Sequence, residues 1–213
     1  SNMVEKGCEY CFMEVSSHAV DQNRIGGLTF TGGVFTNITH DHLDYHKTFD
    51  NYLKAKKQFF DKLPSTAFAL TNKDDKNGLV LLQNTKASKY SYSLKTTSDF
   101  KGKIIESDLT GLLLDIDGTQ AWYGLSGDFN AYNILAVYGT AFILGEPKEK
   151  VIKALTNTRG AKGRFEIVRS AEGVIGIIDY AHTPDAIKNV LETINKVRTR
   201  NEVLITVIGC GGD

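Results

Sequence analysis

The sequence lacks an excess of either charge, a disulfide's worth of paired cysteines and any long apolar run. Lys+Arg and Asp+Glu each number 25 in 213 residues, so the formal net charge is zero. Proteins that hold nucleic acid by its phosphates normally carry a basic surplus, so no nucleic-acid partner is expected. No apolar stretch approaches the ~20 residues that cross a bilayer. No signal-peptide apolar region opens the chain, and membrane insertion is not expected. Cys8, Cys11 and Cys210, the three cysteines, make no disulfide framework, which suggests a reducing compartment and a cytoplasmic location. Internal repeats and low-complexity tracts are missing too. What is present, 41% hydrophobic and 23% charged residues, is the mix of an ordinary globular protein of one large or two small domains.

Ser1-Asn2 ahead of Met3 has the look of a tag remnant. The chain stops inside the glycine-rich turn Gly209-Cys210-Gly211-Gly212-Asp213, directly after an apolar strand, so a fragment is expected.

Short apolar runs ending in polar residues, at Cys11–Val15, Gly33–Ile38 and Phe68–Asn72, predict buried strands of a mostly parallel sheet with helical crossovers, an α/β fold. Residues 50–63 predict a helix. From 79 to 125, alternating stretches such as Lys89–Leu94 and Leu112–Ile116 flank turns such as Asp117-Gly118 and predict an antiparallel excursion. A helix is expected over Phe129–Leu144, capped by Ser126-Gly127-Asp128 and stopped by Gly145 and Pro147, with a shorter one over Val151–Thr156. Arg159-Gly160-Ala161-Lys162-Gly163 is a plausible linker. Beyond it, Val174–Ile178, Pro184–Val197 and Val203–Ile208 predict strand, helix and strand, with Thr183 capping and Pro184 in the first helical position. One such unit is too small to bury a core alone. The expected division is a domain over residues 4–160 and the beginning of a second, Rossmann-like one over 164–213.

The densest polar cluster runs from Asn37 to His46 and holds His40, Asp41, His42, Asp44 and His46 just after a strand. Imidazole and carboxylate at the carboxyl end of a parallel strand suit a metal or phosphate site; a polar loop with helix-capping aspartates is the plainer alternative. A binuclear zinc hydrolase pattern fits His40, Asp41, His42 and Asp44, but Tyr45 stands where its last histidine belongs. Glu14 falls in a segment that otherwise reads as buried, where a carboxylate is costly unless it is paired or meets a cation; alternation could instead turn it to solvent. Lys56 lies near the centre of the apolar stripe formed by Tyr52, Phe59, Phe60 and Leu63. It either snorkels to water or, held against apolar surface as a neutral amine, reacts with carbon dioxide to a carbamate that can ligate metal.

Asn130 and Asn133 lie in the first turn of their helix, on the side of Ile134, Val137 and Ala141, placed either to cap it or to meet a polar ligand. Asp179-Tyr180-Ala181-His182 occupies a strand-to-helix loop, where ligand contacts concentrate in α/β domains. Cys8 and Cys11 lack a second ligand pair and read as structural thiols rather than zinc ligands.

In their order along the chain these segments resemble the Mur ligase family, most of all its UDP-N-acetylmuramoyl-tripeptide synthetase branch, MurE. The resemblance is carried by Met13–His18 with Gln22 and Arg24, Thr36–Thr39 through Asp41-His42-Leu43-Asp44-Tyr45-His46, and Tyr52–Lys56. Gly127–Asn130 with Asn133, Gly163-Arg164-Phe165-Glu166, Asp179–Ala186 and Gly209–Asp213 continue it. It implies an ATP-dependent ligase of peptidoglycan biosynthesis that adds a third amino acid, diaminopimelate or lysine, to UDP-MurNAc-L-Ala-D-Glu through an acyl phosphate. It further implies that Glu14 and His42 hold Mg2+ and that carbamylated Lys56 helps hold a second. By the same resemblance Ser16, Gln22 and Arg24 contact UDP-MurNAc-dipeptide, and Asn130, Asn133, Arg164, Asp179 and Tyr180 meet ATP. The family's phosphate loop and its N-terminal uridine-binding domain have no counterpart in these residues. Most of the C-terminal domain has none either, and ligation by these residues alone is not expected. Competing expectations are a folylpolyglutamate synthase, a metal-dependent hydrolase on His40–Asp44 and a non-catalytic scaffold. Nothing in the sequence sets an oligomeric state.

Overall fold

The computed structural model describes residues 2–39, 43–198 and 201–209, with only the backbone of Leu43 and Asp44. His40, Asp41, His42 and residues Cys210–Asp213 lie outside the described residues.

In chain order the elements are α1 (Asn2–Glu5), α2 (Ser17–Asp21), β1 (Gly32–Phe35), α3 (Leu43–His46), α4 (Phe49–Asp61), β2 (Phe68–Asn72), α5 (Gly78–Leu81) and β3 (Ser88–Ser93). There follow β4 (Phe100–Asp108), β5 (Gly111–Ile116), β6 (Thr119–Tyr123), α6 (Asp128–Ile143) and α7 (Lys148–Thr156), then β7 (Glu166–Arg169), β8 (Ile175–Ile178) and α8 (Pro184–Val197). Strands β1 to β6 form one sheet in sequence order. The first four pair in parallel, and β4-β5-β6 pair antiparallel. The architecture is therefore α/β, a mostly parallel sheet with an antiparallel extension.

Every residue of β2 is buried, which follows from helices covering both faces of the sheet. Alternation sends Leu70 to one face, where Tyr92, Leu112, Leu114, Ile134, Leu135 and Tyr138 pack under α6 and α7. Ala69 points to the other face, beside Phe35, Tyr52, Phe60, Leu63 and Leu81 from β1, α4 and α5.

Local signals place several elements well. Thr48 caps α4 through the Asn51 amide at 3.2 Å. Thr183 caps α8 through the Ala186 amide at 3.3 Å, and Pro184 opens that helix, because its missing N–H would have had no partner there anyway.

Four expectations are corrected. Cys11–Val15 forms no strand; among the described residues no neighbouring backbone completes a ladder with it, and Phe12 and Met13 are exposed. The Lys89–Ser93 stretch is not antiparallel but joins the parallel part beside β2, since two-residue alternation marks two faces without fixing direction. Beyond the linker, β8 pairs antiparallel with β7, an unforeseen strand. Finally, Val203–Ile208 is not a strand among the described residues and exposes Val203, Ile205 and Val207, so the expected strand-helix-strand unit does not close.

Candidate functional site

The carboxyl end of β1 runs into the loop Thr36–Thr39, and three side chains from distant parts of the chain pin the stretch Phe35–Ile38. The Tyr92 hydroxyl donates to the Phe35 carbonyl at 3.1 Å, and Asn72 Nδ2 donates to the Thr36 carbonyl at 2.9 Å. The Ile38 amide donates to Asp75 Oδ2 at 3.1 Å. Next to Asp75, Asp74 accepts from Ser93 Oγ at 2.6 Å, the Leu94 amide at 2.8 Å and the Tyr132 hydroxyl at 3.1 Å. Burial works against its charge, yet the hydrogen bonds from Ser93, Leu94, Tyr132 and Lys95 outweigh burial and hold the carboxyl below its usual value. Sequence reasoning passed over Asn72, Asp74 and Asp75. The available signal was polar residues following a parallel strand, as at β1.

Helices α2, α3 and α4 form a first group. Ser16 is the N-cap of α2, its hydroxyl accepting from the Ala19 amide at 3.1 Å. Gln22 Nε2 donates to the Tyr45 hydroxyl at 3.3 Å, which in turn donates to Asp21 at 2.7 Å. Arg24 and Glu14 are exposed; the buried strand expected around Glu14 is absent, so no burial cost calls for a cation there. Lys56 is half-buried on α4 with its Nζ 5.3 Å above the Tyr52 ring. The ring face attracts the ammonium. His46 turns inward and is buried, its Nε2 2.9 Å from Ser17 Oγ. His42, expected beside Glu14 and Lys56, lies outside the described residues. No three of the described His, Cys, Asp and Glu side chains gather at metal-binding range.

A second group joins the start of α6 to the segment after the linker. Asn130 Nδ2 donates to the Ser126 carbonyl at 2.7 Å, and Asn133 Nδ2 donates to Asn130 Oδ1 at 3.1 Å. The face differs from expectation: Val137 is 53% exposed while Ile134 is 1% exposed, because Ile134 meets the sheet and Val137 points away from it. Arg164 lies over the Tyr180 ring at 5.3 Å, both exposed. Asp179 clamps its own turn, accepting from the Phe165 amide at 2.8 Å and the Ala181 amide at 2.7 Å. Phe165, at φ 49°, inserts its buried ring edgewise against Phe129 at 5.7 Å. That contact seats Arg164 and Asp179 near the first turn of α6. Gly127, at φ +92°, lets Thr193 of α8 approach, since a Cβ there would come 3.0 Å from its methyl. Lys196 of α8 completes the contact on Asp128 at 2.8 Å.

Residues 1–141 match the Mur ligase middle domain, and residues 163–213 match the glutamate ligase domain of Mur ligases. Over all 213 residues the chain is 60% identical to the UDP-N-acetylmuramoyl-L-alanyl-D-glutamate--2,6-diaminopimelate ligase of Cytophaga hutchinsonii, and 59% identical to that of Parabacteroides distasonis. It covers 44% of each, so it spans less than half the length of these relatives. A solved structure of a UDP-N-acetylmuramoyl-L-alanyl-D-glutamate--2,6-diaminopimelate ligase superposes on 92% of the chain with TM-score 0.77 at 27% identity, over 42% of its own length. UDP-N-acetylmuramate-alanine ligase MurC of Thermotoga maritima shares the fold over 85% of the chain, and 40% of its own, with TM-score 0.67 at 22% identity. The chain belongs to the Mur ligase family.

Proposed function

We propose that these residues belong to an ATP-dependent ligase of cytoplasmic peptidoglycan synthesis that joins 2,6-diaminopimelate to UDP-MurNAc-L-Ala-D-Glu. The observation that carries this reading is identity of 60% across the whole chain to a protein named for that reaction. Relatives of the same name at 40% identity in Clostridioides difficile and 37% in Bacillus cereus point to diaminopimelate rather than lysine. The division into a central domain over 4–160 and a second over 164–213 belongs to the same proposal.

The residues fit the groups such a reaction needs in kind. Glu14 offers an exposed carboxylate, the hard oxygen donor that magnesium takes. His42 is proposed beside it, and Lys56 would join as a ligand only as a carbamate, since an ammonium has no lone pair to give. ATP, when bound, supplies the phosphoryl group that turns the substrate carboxylate into an acyl phosphate. Arg164 and Tyr180 present a cation and a ring face for the nucleotide, with Asn130 and Asn133 at the start of α6 and Asp179 fixing the turn that carries Tyr180. Ser16, Gln22 and Arg24 on and after α2 would face UDP-MurNAc-dipeptide. Charge neutralisation and alignment are what phosphoryl transfer asks of a protein.

The test is phosphate release by the full-length protein given ATP, Mg2+, UDP-MurNAc-L-Ala-D-Glu and either amino acid. Turnover with diaminopimelate and at least about a hundredfold less with lysine is expected. No turnover with either, or turnover on a folate instead, overturns the reading. The 213 residues by themselves are expected not to ligate, because no Gly-x-x-Gly-Lys-Thr/Ser phosphate loop occurs among them.

A further inference from the structure

Four side chains from three helices form a column that ends on Lys56. Ser17, in the first turn of α2, is 1% exposed, and its hydroxyl shares a 2.9 Å hydrogen bond with His46 Nε2. The His46 ring, at the end of α3, stacks on the Tyr52 ring of α4 with centroids 5.4 Å apart and planes at 27°. Lys56, one helical turn beyond Tyr52, carries its Nζ 5.3 Å from the centroid of that ring. Tyr45 and His18 hold His46 from its edges, at centroid distances of 4.8 and 5.4 Å. Asn51 Nδ2 donates to the His46 carbonyl at 3.1 Å and ties α3 to the start of α4.

We propose that Ser17, His46 and Tyr52 are positioning residues for Lys56, setting where its amine stands relative to α2. The inference rests on the proposed ligase reading, in which Lys56 works at the reacting centre and α2 carries the Ser16 end of the substrate site. Each member has one degree of freedom removed by its neighbour. The Ser17 bond fixes the imidazole's rotation, the imidazole plane fixes the Tyr52 ring, and the ring face bounds where the end of the Lys56 side chain can stand. A hydroxyl, an imidazole and a phenol are expensive to bury without partners. A helix packing that needed only apolar contact would have been met by leucine at all three places. An error of 1 Å at a reacting group can cost about a hundredfold in rate, so a rigid column of this kind has kinetic consequences even though none of the three touches substrate.

The experiment compares Ser17→Ala, Tyr52→Phe, Tyr52→Leu and Lys56→Ala in the full-length ligase, reading kcat, KM and Tm. In the ligand-free protein it also reads the rate at which an amine-acylating reagent labels Lys56, by peptide mass spectrometry. Tyr52→Phe keeps the ring face and should change both readouts less than Tyr52→Leu does. Tyr52→Leu should lower kcat at least about tenfold at little-changed KM and raise Lys56 labelling at least about threefold. Ser17→Ala, the milder change, should move both readouts in the same direction by about threefold and serves if Tyr52→Leu does not fold. Folded Ser17→Ala and Tyr52→Leu proteins with parental kcat and labelling rates would overturn the column's role, whatever Lys56→Ala does. Full activity of Lys56→Ala would instead sink the ligase chemistry assigned to that lysine, while the labelling rates would still report on the column.

Discussion

The hydroxyl of Tyr92 on β3 reaches across the sheet to the carbonyl of Phe35 on β1, 57 residues earlier in the chain, at 3.1 Å. The two strands are not neighbours, since β2 lies between them. The bond therefore fixes the exit of the chain from β1 directly above its neighbour strand. Tyr92 is fully buried; burial, followed by the nearby Asp75 charge, pushes its phenol well up, so it remains a donor at any working pH.

Tyr92→Phe is accordingly expected to destabilise the fold by about 1–3 kcal/mol, the cost of leaving a buried carbonyl without its donor. Urea unfolding measures it. Faster hydrogen exchange at the Ile38 amide, which lies on the same pinned loop and donates to Asp75, should accompany the loss. A variant as stable as the parent would show that the carbonyl finds another partner.

The same substitution at Tyr123 should have the opposite sign. Tyr123 is also fully buried, but its hydroxyl has no hydrogen-bond partner among the described residues, and burial pushes the phenol up to about 12. Removing an unsatisfied buried hydroxyl removes a desolvation penalty and leaves the ring packing intact. Tyr123→Phe should therefore be neutral to about 1 kcal/mol more stable in the same urea titration. A loss comparable to that of Tyr92→Phe would mean that the hydroxyl is bonded in solution.

These two tyrosines show where reading from sequence stops. Both sit in strands and both are buried, and nothing local distinguishes the bonded one from the unbonded one. What could be read was local: Thr183-Pro184 opening α8, the helix around residues 50–63, the apolar run of β2. Strand formation is not local. Cys11–Val15 and Val203–Ile208 have the composition of strands, yet a strand exists only where another backbone completes its hydrogen bonds. The candidate site divides the same way. Asn130 and Asn133, three residues apart on one helix, could be paired from spacing. The Ser17–His46 bond and the Asp75–Ile38 bond join residues 29 and 37 apart and depend on how α2, α3 and β2 are set against one another.

Asp74 should give the fold a recognisable acid limb. Its folded-state carboxyl sits below the ordinary 3.8 because hydrogen bonds to the charged form outweigh burial. A depressed carboxyl contributes stability that is fully present above the unfolded value and is lost as pH falls through the folded one. Asp74→Asn turns an amide toward three donors, the Leu94 and Lys95 amides and the Tyr132 hydroxyl, so it should be less stable at pH 7. Below about pH 4 its stability should fall less steeply than that of the parent. Urea midpoints between pH 2.5 and 7 provide the check, and parallel curves for the two proteins would contradict the assignment.

The attachment of the chain beyond the linker to the start of α6 offers a comparison of magnitudes. It has an ion pair, Lys196 to Asp128 at 2.8 Å, with side chains 64% and 44% exposed, and an aromatic contact, Phe165 on Phe129 at 5.7 Å. Hydrogen bonding to Asp128 raises the Lys196 ammonium's pKa, but solvent screens so exposed a pair and leaves it about 0–1 kcal/mol. Truncating a buried phenylalanine typically costs about 3–5 kcal/mol. Phe165→Ala should therefore speed hydrogen exchange of the α8 amides far more than Lys196→Ala does, with the lysine change held below about fivefold. If Lys196→Ala released α8 as readily as Phe165→Ala, the segment would be held by charge, and high salt alone should then reproduce the effect.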